Sequence, residues 1–202
     1  MPLTIIRSDI TALSVDAVVN AANTELRAGG GVCGAIFKAA GVIELTQACK
    51  KIGFCRTGEA VITPGFDLKA KYIIHTAGPV YGENPDLEEK QLYSCYKNSL
   101  LLAESKSLSS IAFPLISSGI YGYPKAEALR IATRAIKDFL ENSEMQVFLV
   151  VYDKASFEIS KDLFAAVESF IDERMVEPQR RRYSVGNMMS GLFKKPQENE
   201  ND

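Results

Sequence analysis

Apolar residues follow two alternating patterns along the chain. Short, nearly unbroken apolar runs at 3–7, 17–20, 59–63, 72–76, 110–117 and 146–152 predict strands, several buried on both faces. Between them the apolar positions recur at helical spacing. Residues 34–40 and 42–51 read as two short helices separated by Gly41, a residue suited to a helix stop. Leu92, Tyr96 and Leu100 make an i, i+4, i+8 stripe in a predicted helix 87–105. Leu129, Ala132, Ile136 and Leu140 line one side of a predicted helix 125–140. Leu163, Val167 and Phe170 are expected to face inward from a last helix, 156–174. Helices alternating with strands of this kind predict a three-layer α/β/α domain over residues 1–174.

Beyond residue 174 the composition shifts, and 175–202 reads as a linker-like or docking tail. It carries the triplet Arg180-Arg181-Arg182 and an apolar island at 185–193, too small for a core of its own. The whole chain has 202 residues, 47% of them hydrophobic, enough to bury a core without disulfides. Lys and Arg number 23 against 25 Asp and Glu, so the formal charge is −2. No overall field draws the protein to nucleic-acid phosphates or anionic lipid. No apolar run approaches the roughly 20 residues of a membrane span, and the first residues lack the pattern of a secretion signal. A cytoplasmic location is expected.

Cys33, Cys49, Cys55 and Cys95 form no CxxC pair, and His75 is the sole histidine. This set does not make a structural zinc site, and neither a metal nor a cofactor is expected. His75 lies within the apolar run 72–76, so a packed, hydrogen-bonded imidazole is expected there.

Two glycine-bearing segments carry the candidate chemistry. Gly29-Gly30-Gly31-Val32-Cys33-Gly34 satisfies GxGxxG, but nine residues separate Asn20 from the end of that first glycine. A dinucleotide turn should follow its strand at once and be answered by an acid about 20 residues later, where this chain has Cys49-Lys50-Lys51. No Lys followed by Ser or Thr follows the glycines, which excludes a P-loop. What remains is backbone chemistry: glycines let amides approach a ligand, and a helix N-terminus attracts anions. The second segment, Ser117-Ser118-Gly119-Ile120-Tyr121-Gly122, lies between a buried strand and a helix, where ligands sit in open α/β sheets. Two such loops without Lys or Arg suit a diphosphate held by amides. Asp9 ends the first strand and can cap a turn or accept from an exocyclic amine. Asn20 and Asn23 can fix a turn or bind ribose hydroxyls.

These segments, with Thr57-Gly58-Glu59-Ala60 and His75-Thr76-Ala77-Gly78-Pro79, resemble the macro domain over residues 3–172. The resemblance points most strongly to the branch of hydrolases of mono-ADP-ribosyl groups and O-acetyl-ADP-ribose. It implies a mixed central sheet and an ADP-ribose site. Asp9 would bind the adenine amine, with Ile10 beside the ring. Asn20 and Asn23 would serve the distal ribose, wrapped by Gly29, Gly30 and Gly31. Amides of Val32, Cys33, Gly34 and Ala35, and of Ser117, Ser118, Gly119, Ile120 and Tyr121, would grip the diphosphate. Asn23, Cys33 and Tyr121 would serve the chemistry, Tyr121 packing on the distal ribose side.

One departure bears on activity. The branch usually carries an aspartate after Gly-Gly-Gly-Val, where this chain has Cys33, and its common histidine is replaced by Phe37. A free thiol with pKa near 8.5 is largely neutral at pH 7 unless a helix N-terminus lowers it. Two functions follow from the resemblance: hydrolysis of mono-ADP-ribosyl esters or O-acetyl-ADP-ribose, or an ADP-ribose reader without turnover. The implied partner is ADP-ribose or an ADP-ribosylated protein, with a further protein partner for the tail. No membrane and no specific nucleic acid are implied.

Overall fold

The computed structural model describes residues 2–163 and 167–169. Its strands are β1 (Leu3–Arg7), β2 (Ala17–Ala22), β3 (Ala60–Pro64), β4 (Tyr72–Ala77), β5 (Ser110–Pro114), β6 (Gln146–Val151) and β7 (Val167–Ser169). Its helices are α1 (Gly31–Ala40), α2 (Val42–Ile52), α3 (Glu88–Ser105), α4 (Lys125–Leu140) and α5 (Lys154–Leu163). Among the described residues the strands form one sheet in the order β3-β4-β2-β5-β6-β1-β7. Only β3 runs antiparallel, against β4; the other pairings are parallel, so the sheet is mixed.

Strand alternation divides the interior into two cores. On β5, Ile111 and Phe113 face a cluster with Leu92, Tyr96 and Leu100 of α3 and Leu129 and Ile136 of α4. Ala112 between them faces the opposite cluster, with Ile36 and Phe37 of α1 and Leu45 of α2. The α/β/α layering is therefore as expected. Each fully buried Leu, Ile or Phe among them contributes about 1.5–3 kcal/mol.

The final predicted helix requires correction. It ends at Leu163, and residues 167–169 instead form β7, parallel to β1 with Ile5 opposite Val167 and Arg7 opposite Ser169. The open edge of β1 offers unpaired amides and carbonyls, a tertiary opportunity that overrides local helical spacing. The side chains of Leu163 and Val167, the whole of Phe170 and the tail 175–202 lie outside the described residues. Helix α1 begins three residues before the predicted 34, because Gly31 and Val32 join its first turn.

At the amino end of the sheet, Asp16 ties three elements together. Its carboxylate accepts from the Ser109 amide (3.0 Å) and hydroxyl (2.6 Å), the Ser110 amide (3.1 Å) and hydroxyl, and Lys71 Nζ (2.9 Å). The Ser109 hydroxyl, then Lys71, hold its carboxyl well below the usual carboxylate range. The Asp16→Ala protein is expected to unfold about 2–4 kcal/mol more easily in urea. A depressed folded pKa stabilises above the unfolded value and is lost on acidification. The Asp16 contribution is thus complete above about pH 4 and fades below it, so the gap between variant and parent should close in acid.

Candidate functional site

The carboxyl ends of β1, β2, β4, β5 and β6 share one edge of the sheet. Neighbouring strands β2 and β5 send their chains to opposite faces, β2 into α1 and β5 into α4. That divergence opens a crevice between the loops 23–30 and 115–124, the switch point of an open α/β sheet.

The first loop is shaped by its own side chains. Asn23 Oδ1 accepts from the Arg27 amide (2.9 Å) and its Nδ2 donates to the Arg27 carbonyl (2.8 Å). Leu26, at φ 55°, inserts into the core at 2% exposure and anchors the loop. Beyond it, Gly30 caps α1 without a side chain, so no side-chain hydrogen bond covers the first turn. The amides of Gly31, Val32 and Cys33 meet no acceptor among the described residues. Two amides expected at a ligand are already engaged: Gly34 donates to Gly30 (3.4 Å), and Ala35 lies past the first turn, where helix amides pair internally.

The second loop leaves β5 at Pro114 under the control of Tyr96. The fully buried Tyr96 hydroxyl donates to the Pro114 carbonyl (3.3 Å) and accepts from the Ile116 amide (3.0 Å). Ser117 then adopts φ 63°, a left-handed conformation costly for a residue with a Cβ. The amides of Ser117, Gly119, Ile120 and Tyr121 meet no acceptor among the described residues, and the buried Ser117 hydroxyl is also unpartnered. Ser118 donates both its amide and its hydroxyl to Leu115, so its polar groups turn inward. The loops approach closely: a Cβ on Gly30 would lie 3.4 Å from Ile120 Cδ1. Two rows of free amides therefore border one crevice, the arrangement that receives a multiply charged anion.

Asp9, at the end of β1, plays the capping role and keeps one oxygen spare. Oδ1 accepts from the Thr11 amide (2.9 Å) and hydroxyl (2.7 Å), while Oδ2 has no partner among the described residues. Ile10 beside it is 5% exposed and belongs to the α1 core cluster, which limits any ligand contact to its edge.

Two expected site residues lie beneath the crevice instead of in it. Asn20 is fully buried, opposite His75 in the β2–β4 register. Its Nδ2 donates to His75 Nδ1 (3.1 Å) and reaches Cys33 Sγ (3.7 Å). With Nδ1 accepting, His75 Nε2 donates to Thr63 Oγ1 (2.9 Å). Burial pushes the imidazole pKa down to about 4, so it is neutral and structural, as its apolar run predicted. The Cys33 thiol points into this network and toward the Arg27 carbonyl (3.7 Å). Burial raises its pKa, so the thiol is neutral at pH 7, as expected of a free thiol that a helix N-terminus does not dominate. Cys33 thus reaches the crevice with its amide. Asn20 reaches it only through Cys33.

The sequence reading missed Tyr81 as a site element. Its amide donates to the Tyr121 carbonyl (2.9 Å), and its ring meets Tyr123 edge-on at 5.1 Å. Gly78, just after β4, leaves no room for a Cβ, which would fall 2.2 Å from Ser117 Oγ. The Gly78-Pro79 pair was the available signal, as a turn at a strand's carboxyl end.

Comparison with known proteins places this architecture. The Macro domain family model matches residues 19–132. The chain belongs to the macro domain family. A Salmonella newport protein named O-acetyl-ADP-ribose deacetylase is 52% identical over 158 residues, covering 75% of this chain and 88% of that one. The solved Oceanobacillus iheyensis macrodomain with ADP is 43% identical, with TM-score 0.74, covering 78% of this chain and 87% of its own. The Trypanosoma brucei macrodomain in complex with ADP-ribose is 38% identical, with TM-score 0.73, covering 80% and 68%. This macro domain retains both amide-lined loops of its crevice without a cationic side chain in either amide row.

Proposed function

We propose that this macro domain binds ADP-ribose in the β2–β5 crevice and hydrolyses O-acetyl-ADP-ribose or mono-ADP-ribosyl esters. The carrying observation is the facing pair of unpaired amide rows, Gly31 to Cys33 and Ser117 with Gly119 to Tyr121. A diphosphate between them offers acceptor oxygens to both rows. In this reading the spare Asp9 Oδ2 accepts from the adenine amine. Gly29, Gly30 and Gly31 surround the distal ribose, whose hydroxyls meet Asn23 where its amide is not clamped to Arg27. Tyr121 covers that sugar.

Hydrolysis of the ester adds water across the acyl–oxygen bond and releases the acid and free ADP-ribose. Among the described residues no side chain whose pKa is shifted toward neutrality stands ready as base, since the Cys33 thiol is raised and His75 is neutral. The bound diphosphate, with its oxygens fixed by amides, then holds the attacking water. The neighbouring relative named O-acetyl-ADP-ribose deacetylase supports this choice of substrate.

Calorimetry should show micromolar ADP-ribose binding, and incubation with O-acetyl-ADP-ribose should release acetate. No heat with ADP-ribose would refute the site. Turnover is expected to stay level between pH 6 and 8, because Cys33 and Tyr121 are pushed up and His75 down to about 4. A sigmoidal step in that window would show an ionising catalytic group.

The same neutral Cys33 supports a second reading, a reader that binds without turnover. Binding with no acetate release over hours would select it.

A further inference from the structure

We propose that Glu88 is a positioning residue for diphosphate binding, acting through Tyr81 on the loop that carries the second amide row. This rests on the ADP-ribose reading and names a residue remote from the ligand. Glu88 opens α3 with only 4% exposure, unusual for a carboxylate. Its Oε1 accepts from the Gly82 amide (2.7 Å) and the Asn84 amide (3.2 Å), closing a turn in which Gly82 stands at φ 87°. The Asn84 carbonyl returns the connection by accepting from Leu87 (3.0 Å) and Glu88 (3.1 Å). These charge-assisted bonds hold the segment 82–84 against the helix start.

From that turn the chain leads directly to the crevice. Tyr81, one residue before Gly82, donates its amide to the Tyr121 carbonyl, and its ring packs edge-on against Tyr123. The Tyr123 amide in turn donates to the Ser117 carbonyl (3.0 Å). The 117–123 loop is therefore gripped at its far end by Tyr81 and at its near end by Tyr96 and the Cβ-free face of Gly78. Such a grip is needed because Ser117 holds a strained φ of 63° and four loop amides lack acceptors among the described residues. Without an external brace the loop would relax by pairing its own groups, and the amide row would be lost. Among the described residues the Glu88 side chain hydrogen-bonds only to this turn, so the carboxylate serves the brace.

The test compares ADP-ribose with adenosine, which lacks the diphosphate and distal ribose, as probes of the full chain. Glu88→Ala is expected to weaken ADP-ribose binding by roughly 10- to 100-fold in calorimetry, in line with the penalty for misplaced groups. Adenosine binding, followed by NMR titration, should stay within about twofold of the parent, because the Asp9 side is untouched. Glu88→Gln keeps an Oε1 acceptor and should restore ADP-ribose affinity to within about threefold. Equal losses for both probes, or unchanged ADP-ribose binding by Glu88→Ala, overturn the proposal. Should Glu88→Ala not fold, Glu88→Asp, whose shorter side chain withdraws the acceptor, decides by the same criteria. Failure of the parent protein to bind ADP-ribose would instead overturn the functional reading beneath it.

Discussion

Gly34→Ala is expected to lower ADP-ribose affinity by about 100-fold while leaving the domain folded. A Cβ at Gly34 would stand 2.5 Å from the Gly29 carbonyl oxygen, a backbone atom that cannot swing aside. Gly34 itself has helical backbone geometry within α1, where alanine is favoured over glycine by about 1 kcal/mol. The helix therefore keeps its new methyl group, and the glycine loop must move. That displacement carries Gly29 and Gly30 away from Ile120 and spreads the two amide rows. Urea unfolding should show a change of no more than about 1 kcal/mol, and calorimetry should show the affinity loss. Retention of affinity within threefold would mean that Gly29 to Gly31 do not form the ligand's wall.

Cys33→Asp is expected to raise kcat by roughly 10²–10⁴-fold with little change in ADP-ribose affinity. Position 33 lies in the first turn of α1, beside the glycine loop: its Sγ is 3.8 Å from where a Gly29 Cβ would stand. A carboxylate there is favoured by the helix N-terminus and can accept from Asn20 Nδ2, which now reaches only a weak sulfur acceptor. Its second oxygen, turned out of that network to the Gly29 side, would also supply negative charge beside the distal sugar and a base for the water. The cost falls on stability, since the carboxylate would face the Arg27 carbonyl in a site where Cys33 is 5% exposed. The variant should melt several degrees lower, and its rate should fall in acid with a carboxylate pKa that the parent lacks. If kcat is unchanged, the thiol does not limit the reaction, and the diphosphate-held water accounts for it alone.

Much of the candidate site was legible because its lining is backbone that glycines announce. Gly29 to Gly31 and Gly119 to Gly122 mark the two loops, and the apolar run 110–117 marks the strand that delivers one of them. Asp9 was readable as a strand-end acid with two uses; its Oδ1 takes the capping one, and its Oδ2 has no partner among the described residues. Side-chain direction was not legible. Asn20 and Asn23 are three residues apart at one strand end, yet the first is sealed beneath α1 and the second clamps a loop. Only the pairing of β2 with β4 places His75 opposite Asn20 and turns that amide inward. Glu88 read as an ordinary first-turn acid, because its partners Gly82 and Asn84 belong to a turn whose path is set elsewhere.

Periodicity and glycine placement, which are local properties of the chain, determined by themselves the layered α/β/α class and the two glycine-bearing loops at the strand ends. Tertiary packing decided what depends on distant partners: the parallel seat of β7 beside β1, the neutral state of Cys33 and His75, and the bracing of loop 117–123 by Tyr81. The reason is the range of the forces involved. Backbone preference and hydrophobic spacing act within a few residues, whereas burial, desolvation and strand pairing exist only after segments far apart in the chain have met.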